Sequence, residues 1–166
     1  MTVDIVIKKE PSYRVISKSF VGAYTGGDMG REEFRQLSSW IKEHGLKAGK
    51  WFFYELDDPE TPEGSRRWEA CIEVHEKPKA KIPKEFEAKE LPAQLVASVV
   101  FDPDQVTTRL VYHGLEGWLQ WRTKFGEYEE AGPTREVYPG DPWRSRKAWA
   151  NVDVQVPIRK LRTSGF

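Results

Sequence analysis

The stretch PSYRVISKSF (residues 11–20) returns 81 positions later as PAQLVASVVF (residues 92–101), and this echo decides how the chain is organised. Pro11, Val15, Ser17 and Phe20 meet Pro92, Val96, Ser98 and Phe101, so Pro-x-x-x-Val-x-Ser-x-x-Phe occurs twice. Further out, Lys8, Trp40, Gly45 and Trp68 recur as Lys89, Trp121, Gly126 and Trp149. With Glu55/Glu136 and Lys79/Lys160 the offset carries ten identities, where composition alone gives roughly five. A two-residue gap improves the register. Gly49 and Asp58-Pro59 then align with Gly132 and Asp141-Pro142, matching turn chemistry with turn chemistry, and Glu136 falls opposite Phe53 rather than Glu55.

Each copy reads as strand, helix, strand, strand. In the first, YRVISKSFV is rich in β-branched and aromatic residues and predicts a strand. After TGGDMG, the spacing of Phe34, Leu37 and Ile41, with Trp40 beside them, predicts a helix over 31–44 that Gly45 caps. KWFFYEL is a strand ended by Asp58-Pro59, and RRWEACIEV is the last strand. In the second copy QLVASVVF is the strand, and Asp102-Pro103-Asp104 starts a helix carrying Val111, Leu115, Trp118 and Leu119 as far as Gly126. Gly114 and Gly117 weaken that helix by up to about 1 kcal/mol each relative to Ala. TREVY and KAWANVDVQVPI complete the unit, with Trp149 on the final strand.

These elements predict one α+β (two-layer α/β) domain over residues 1–166: repeat one about 1–76, an exposed Pro- and Lys-rich connector about 77–90, repeat two about 91–166. Neither copy buries its sheet face alone. Joined edge to edge, the two make one antiparallel sheet with both helices on one face and a central cleft on a pseudo-twofold axis.

At 166 residues the chain is long enough for one real core. Lys plus Arg equals Asp plus Glu at 26 each, so the concentrated positive field that nucleic-acid binding needs is missing. The short basic clusters Arg144-Arg146-Lys147 and Arg159-Lys160-Arg162 read as solvated surface. A single cysteine, Cys71, excludes an internal disulfide and reads as a small buried hydrophobe. The N-terminus lacks the apolar core and cleavage site of a signal peptide, and no stretch approaches the ~20 apolar residues that span a bilayer. The expectation is a cytoplasmic protein with no membrane and no nucleic-acid partner. His44, His75 and His113 are scattered without metal-ligand spacing, and TGGDMG lacks the Gly-Lys-Ser/Thr ending of a phosphate loop. No metal or cofactor is expected.

What stands out is 7 Trp, 6 Tyr and 8 Phe, a surplus of rings that suits a core and also a partly wet pocket. Glu136 is the candidate beside them. In GPTREVYPGDP it shares a strand face with Tyr138, while Val137 points the other way. If the copies meet at this face, one carboxylate is ringed by Phe53, Trp51, Trp68 and Trp149, with Tyr24 in reach. Desolvation of the carboxylate and the attraction of aromatic faces, roughly 0.5–2 kcal/mol per ring, both favour a flat lipophilic cation. Spacing alone favours the plainer arrangement, in which Glu136 lies on an exposed face paired with Arg135 or a cross-strand Lys.

The segment GEYEEAGPTREVYPGDP (126–142) resembles the Gly–Pro–x–x–Glu–x–Tyr–x–x–Asp–Pro segment of the GyrI-like domains, and FVGAY and YELDDPETPE look like the landmarks of their first half. The resemblance covers nearly the whole chain. It implies two strand–helix–strand–strand modules around a cleft, similar to the effector-binding domain of BmrR-type multidrug-sensing regulators. There a glutamate among rings accepts lipophilic cations; by motif position it is Glu136, with Tyr138 two residues on and Trp149 at an often aromatic place. The transfer to Tyr24, Trp51, Phe53 and Trp68 rests on the repeat. FDPDQV (101–106) departs from the family's usual Gly–x–Tyr turn, and no DNA-binding helices precede the first strand, which implies a stand-alone version.

The implied function is binding or sequestration of small hydrophobic or cationic aromatic compounds, with Tyr24, Trp51, Phe53, Trp68, Glu136, Tyr138 and Trp149 as the binding set. Two alternatives stay open. One is a hydrolase of cyclopropane-bearing electrophiles with Glu136 and Tyr138 as its catalytic pair. The other is a protein-interaction role such as gyrase modulation, its protein partner unknown.

Overall fold

The structure, a computed structural model, describes residues 4–58 and 60–161. Pro59 of the expected Asp58-Pro59 turn and Arg162 of the second basic cluster lie outside the described residues. In chain order the elements are β1 (Val6–Glu10), β2 (Tyr13–Val21), α1 (Arg31–Glu43), β3 (Ala48–Glu55), β4 (Arg67–Val74) and β5 (Glu87–Leu91). They continue with β6 (Gln94–Phe101), α2 (Thr108–Lys124), β7 (Tyr128–Glu130), β8 (Arg135–Tyr138), α3 (Arg146–Trp149) and β9 (Val152–Lys160). All the strand pairings described below are antiparallel, and the fold class is α+β, as the pattern predicts.

Two compact units form, and neither is a plain half of the chain: residues 12–92 make one, residues 1–11 with 93–166 the other. In the 12–92 unit the strand order is β3-β4-β2-β5. Trp51 lies opposite Ile72, and Ile72 opposite Ile16, so these three share a sheet face. Helix α1 covers that face with Phe34, Leu37, Trp40 and Ile41, all buried. Its acidic Glu32 and Glu33 sit at the N-terminal end and Lys42 in the last turn, as the helix dipole favours. The helix stops where Gly45 adopts φ 66°, with Leu46 N–H donating to the Ile41 carbonyl and Gly45 N–H to that of Lys42. The predicted connector is not all linker. Its last part, residues 87–90, falls in β5, which pairs with β2 from Glu87↔Ser17 to Leu91↔Tyr13.

In the other unit the order is β1-β6-β9-β8, with β7 on β9 as well. Val99 and Phe101 of β6, Val152, Val154, Val156 and Ile158 of β9, and Val111 and Leu115 of α2 form its core. Helix α2 ends in the same way as α1: Gly126 has φ 71°, Glu127 N–H donates to Arg122 O and Gly126 N–H to Thr123 O. Its start differs from the expected place. Asp102-Pro103-Asp104 forms a turn, closed by Val106 N–H on the Asp102 carbonyl and Asp104 N–H on the Asp102 side chain, and the helix begins at Thr108.

The opposite face of this sheet is polar and buried. Arg135 is fully buried and its Nε donates to Gln155 Oε1 at 2.7 Å. Gln155 Nε2 donates to Glu10 and to Asp153, and Lys8 closes the group with a 2.7 Å ion pair to Asp153. Removing one partner from such a network leaves charge stranded, which is why it comes as a set.

Candidate ligand-binding site

Alternation along β8 sorts its four side chains: Arg135 and Val137 are buried, Glu136 and Tyr138 half-buried. Glu136 pairs with Val154 of β9, on the face that α2 covers. Both carboxylate oxygens are held by phenols. Tyr112 of α2 donates to Oε1 at 2.8 Å, and Tyr138 donates to Oε2 at 2.6 Å. Among the described residues no Lys or Arg forms an ion pair with Glu136; Arg135, the plainer candidate, is turned to the other face and bound to Gln155. A carboxylate has room for about four hydrogen bonds, so two acceptor positions stay open beside the phenols.

Tyr112 was not among the residues expected from sequence. Its neighbours Val111 and Leu115 mark the buried stripe, and Tyr112 lies beside it, three residues before Leu115. The sequence marks it only as a tyrosine at the edge of an apolar stripe, with nothing to pair it with Glu136.

In the 12–92 unit the rings form a column. Phe53 and Trp68 stack with centroids 5.5 Å apart at 14°. Phe20 adds to Phe53 at 6.4 Å, and Tyr24 tilts against Trp68 at 6.2 Å. Trp68 is buried and its Nε1 donates to the Gly22 carbonyl at 2.9 Å, so the loop carrying Tyr24 is tied to the ring beneath it. Tyr24 itself is 62% exposed. Gly30 makes room for Phe53: a Cβ there would stand 2.9 Å from the ring, and φ is +80°.

Trp51 is buried at 5% exposure, stacked on Phe34 at 4.9 Å, and Phe34 in turn meets Phe53. It therefore backs the column from the core. Trp149 requires a correction: it lies on α3, not on the final strand. Asp141 accepts the Trp143 N–H and Ser145 Oγ caps the Ala148 N–H, so turn and cap chemistry override the apolar content of KAWA. Trp149 is half-buried, and its Nε1 donates to Asp104 at 3.1 Å. The structure thus joins Glu136 with Tyr138, and Phe53 with Trp68 and Tyr24, while Trp149 is held by Asp104.

A cavity of about 310 Å³ lies at the C-terminal end of α1, lined by Trp40, His44, Leu46, Lys77 and Lys79 among others, and holds none of the expected site residues. Among the described residues no cluster of three or more His, Cys, Asp or Glu is placed to hold a metal, and no helix is long and apolar enough to cross a membrane.

Comparison with known proteins follows the same lines. Residues 3–159 match the GyrI-like small molecule binding domain family. The crystal structure of the EcmrR C-terminal domain superposes with TM-score 0.73 at 20% identity, over 97% of this chain and 100% of that one. In the EcmrR–DNA complex the TM-score is 0.75 at 21% identity over 96% of this chain, which spans only 58% of the EcmrR chain. SAV2435 bound to tetraphenylphosphonium superposes with TM-score 0.50 at 9% identity, over 94% of each chain. No curated protein sequence matches the chain.

Proposed function

The chain belongs to the GyrI-like small molecule binding domain family, and from that premise we propose that it binds lipophilic aromatic cations. Glu136 supplies the charge and Tyr112 and Tyr138 fix it in direction. Phe53, Trp68 and Tyr24, with Trp51 behind them, are the candidate rings of the 12–92 unit, and Trp149 is a further candidate ring of the other. The observation that carries the reading is Glu136: a half-buried carboxylate, both oxygens held by phenols, with no cation among the described residues paired to it. Burying ionised carboxylate without a cation is unfavourable, and a guest cation supplies what the protein omits. A delocalised cation without N–H groups suits this carboxylate, because part of its hydrogen bonding is already met. The ligand in the SAV2435 structure, tetraphenylphosphonium, is of that class.

The two units also read as copies of one module. Their strand orders correspond, both helices end on a glycine of positive φ, and Phe53 pairs with Ala70 as Glu136 pairs with Val154. On this reading Glu136 is an acid introduced where the other copy keeps a ring. The role is that of a sink or sensor for such compounds. Titration with tetraphenylphosphonium tests it through tryptophan fluorescence. Saturable quenching supports the function, and a signal that stays linear to millimolar ligand refutes it.

A second reading, hydrolysis of cyclopropane-bearing electrophiles, draws on the 2.6 Å contact between Tyr138 and Glu136, a carboxylate and phenol able to position a water or exchange a proton. Ring-opened product by mass spectrometry, absent with Glu136→Gln, supports it.

A further inference from the structure

Glu55 ends β3 directly opposite Trp68 in the β3–β4 ladder and two residues beyond Phe53, so it shares the face of the ring column. Its Oε1 is buried and accepts no hydrogen bond among the described residues. Arg66 comes no nearer than 3.5 Å from that oxygen, an ion pair too long to be a hydrogen bond, and its Nε is engaged by the Thr61 carbonyl at 3.0 Å. Asp57, also nearby, is held by Arg67 through its backbone and guanidinium N–H groups. A buried carboxylate oxygen without a donor is unusual enough to ask what supplies one.

We propose that Glu55 is a second ligand-binding carboxylate, selective for aromatic cations that carry an N–H, with Trp68 and Phe53 as the rings beside it. The two proposed ligand-binding acids, Glu136 and Glu55, then differ in what they accept. Glu136 already holds a phenol on each oxygen and needs only charge. Glu55 has an oxygen with no donor, so a protonated amine or ring N–H makes a charge-assisted hydrogen bond there that a quaternary cation cannot make. The side chain is about a third exposed, 32%, but Oε1 itself is buried, so a guest reaches it as the Arg66 guanidinium 3.5 Å away moves aside. Arg66 is the competitor: an arriving ammonium takes its place as counter-charge, and Arg66 keeps the Thr61 carbonyl.

The inference rests on the proposed binding of lipophilic cations, and a matched pair of flat dyes separates the two. Both 9-aminoacridine, protonated and rich in N–H, and 10-methylacridinium, with none, are titrated into the full chain and its variants. The wild type should prefer 9-aminoacridine by about tenfold, the scale of one charge-assisted hydrogen bond. Glu55→Gln should erase that preference while leaving 10-methylacridinium nearly unchanged, and Arg66→Gln should enlarge it. Glu136→Gln should weaken 10-methylacridinium and leave the Glu55-dependent binding of 9-aminoacridine in place. Thermal melts of each variant verify that it is folded, and Glu55→Asp, which keeps the charge, should retain part of the preference. An unchanged dye ratio in Glu55→Gln, with binding still lowered by Glu136→Gln, overturns this inference alone. A wild type that binds neither dye overturns the underlying function as well.

Discussion

The hydroxyl of Tyr112, on α2, donates to Oε1 of Glu136, on β8, at 2.8 Å. The bond ties helix to strand and aims the carboxylate. Tyr112→Phe keeps the ring and removes the donor. It should lower stability by about 1 kcal/mol, near the net worth of a part-buried hydrogen bond, and weaken tetraphenylphosphonium severalfold through lost orientation. Urea unfolding and ligand titration on one sample measure both; unchanged values in both would mean the contact is incidental.

Gly30 is the second test, because two constraints coincide there. Its φ of +80° disfavours any L side chain, and a Cβ would stand 2.9 Å from Phe53. Gly30→Ala should cost about 1–2 kcal/mol in backbone strain alone. It should also shift Phe53 from Trp68 and weaken dye binding. Gly27, with negative φ and nothing within 4 Å of its Cβ position, is the control: Gly27→Ala should be near neutral.

Arg135 should be the more damaging substitution on β8, although it is not the functional one. It is fully buried, and its Nε bond to Gln155 joins Glu10, Asp153 and Lys8. Arg135→Ala should cost about 3–5 kcal/mol, because the remaining groups keep their buried charge with one partner gone. Denaturant unfolding checks it. Glu136→Gln on the neighbouring position should be well tolerated in the same assay.

Burial pushes the Glu55 carboxyl above its ordinary value; Arg66 opposes the shift and Asp57 adds to it. The folded chain therefore keeps a proton on Glu55 over a pH range where the unfolded chain has lost it. Stability from this group falls as pH rises through that range, between the ordinary carboxylate value and the raised one. Glu55→Gln removes the titration. The stability of Glu55→Gln relative to wild type should rise from about pH 4 to about pH 7, where ordinary carboxylates are ionised. A difference that stays flat with pH contradicts the assignment.

Much of the fold was legible because strands and helix ends carry clear local signals. Val15, Ser17 and Phe20 against Val96, Ser98 and Phe101 marked two central strands, and Gly45 and Gly126 marked two helix ends. Strands β1 (VIKKE) and β5 (EAKEL) were hidden because they are short, charged edge strands whose polarity guards the sheet margin and reads as linker. Helix α2 began late because Asp102 closes a turn instead of capping the helix. Of the candidate site, the shared strand face of Glu136 and Tyr138 followed from period two. Tyr112 did not follow, since a helix-to-strand contact between positions 24 apart has no local pattern. Trp149 was misplaced because Ser145 as a cap outweighs a short apolar run.

The central claim is that the charge of Glu136 selects the guest, and calorimetric titration of tetraphenylphosphonium into wild type and Glu136→Gln measures it most directly. The substitution keeps shape and removes one negative charge, so affinity should fall about tenfold or more while the fold and melting behaviour persist. Equal affinity in the two proteins would contradict the account.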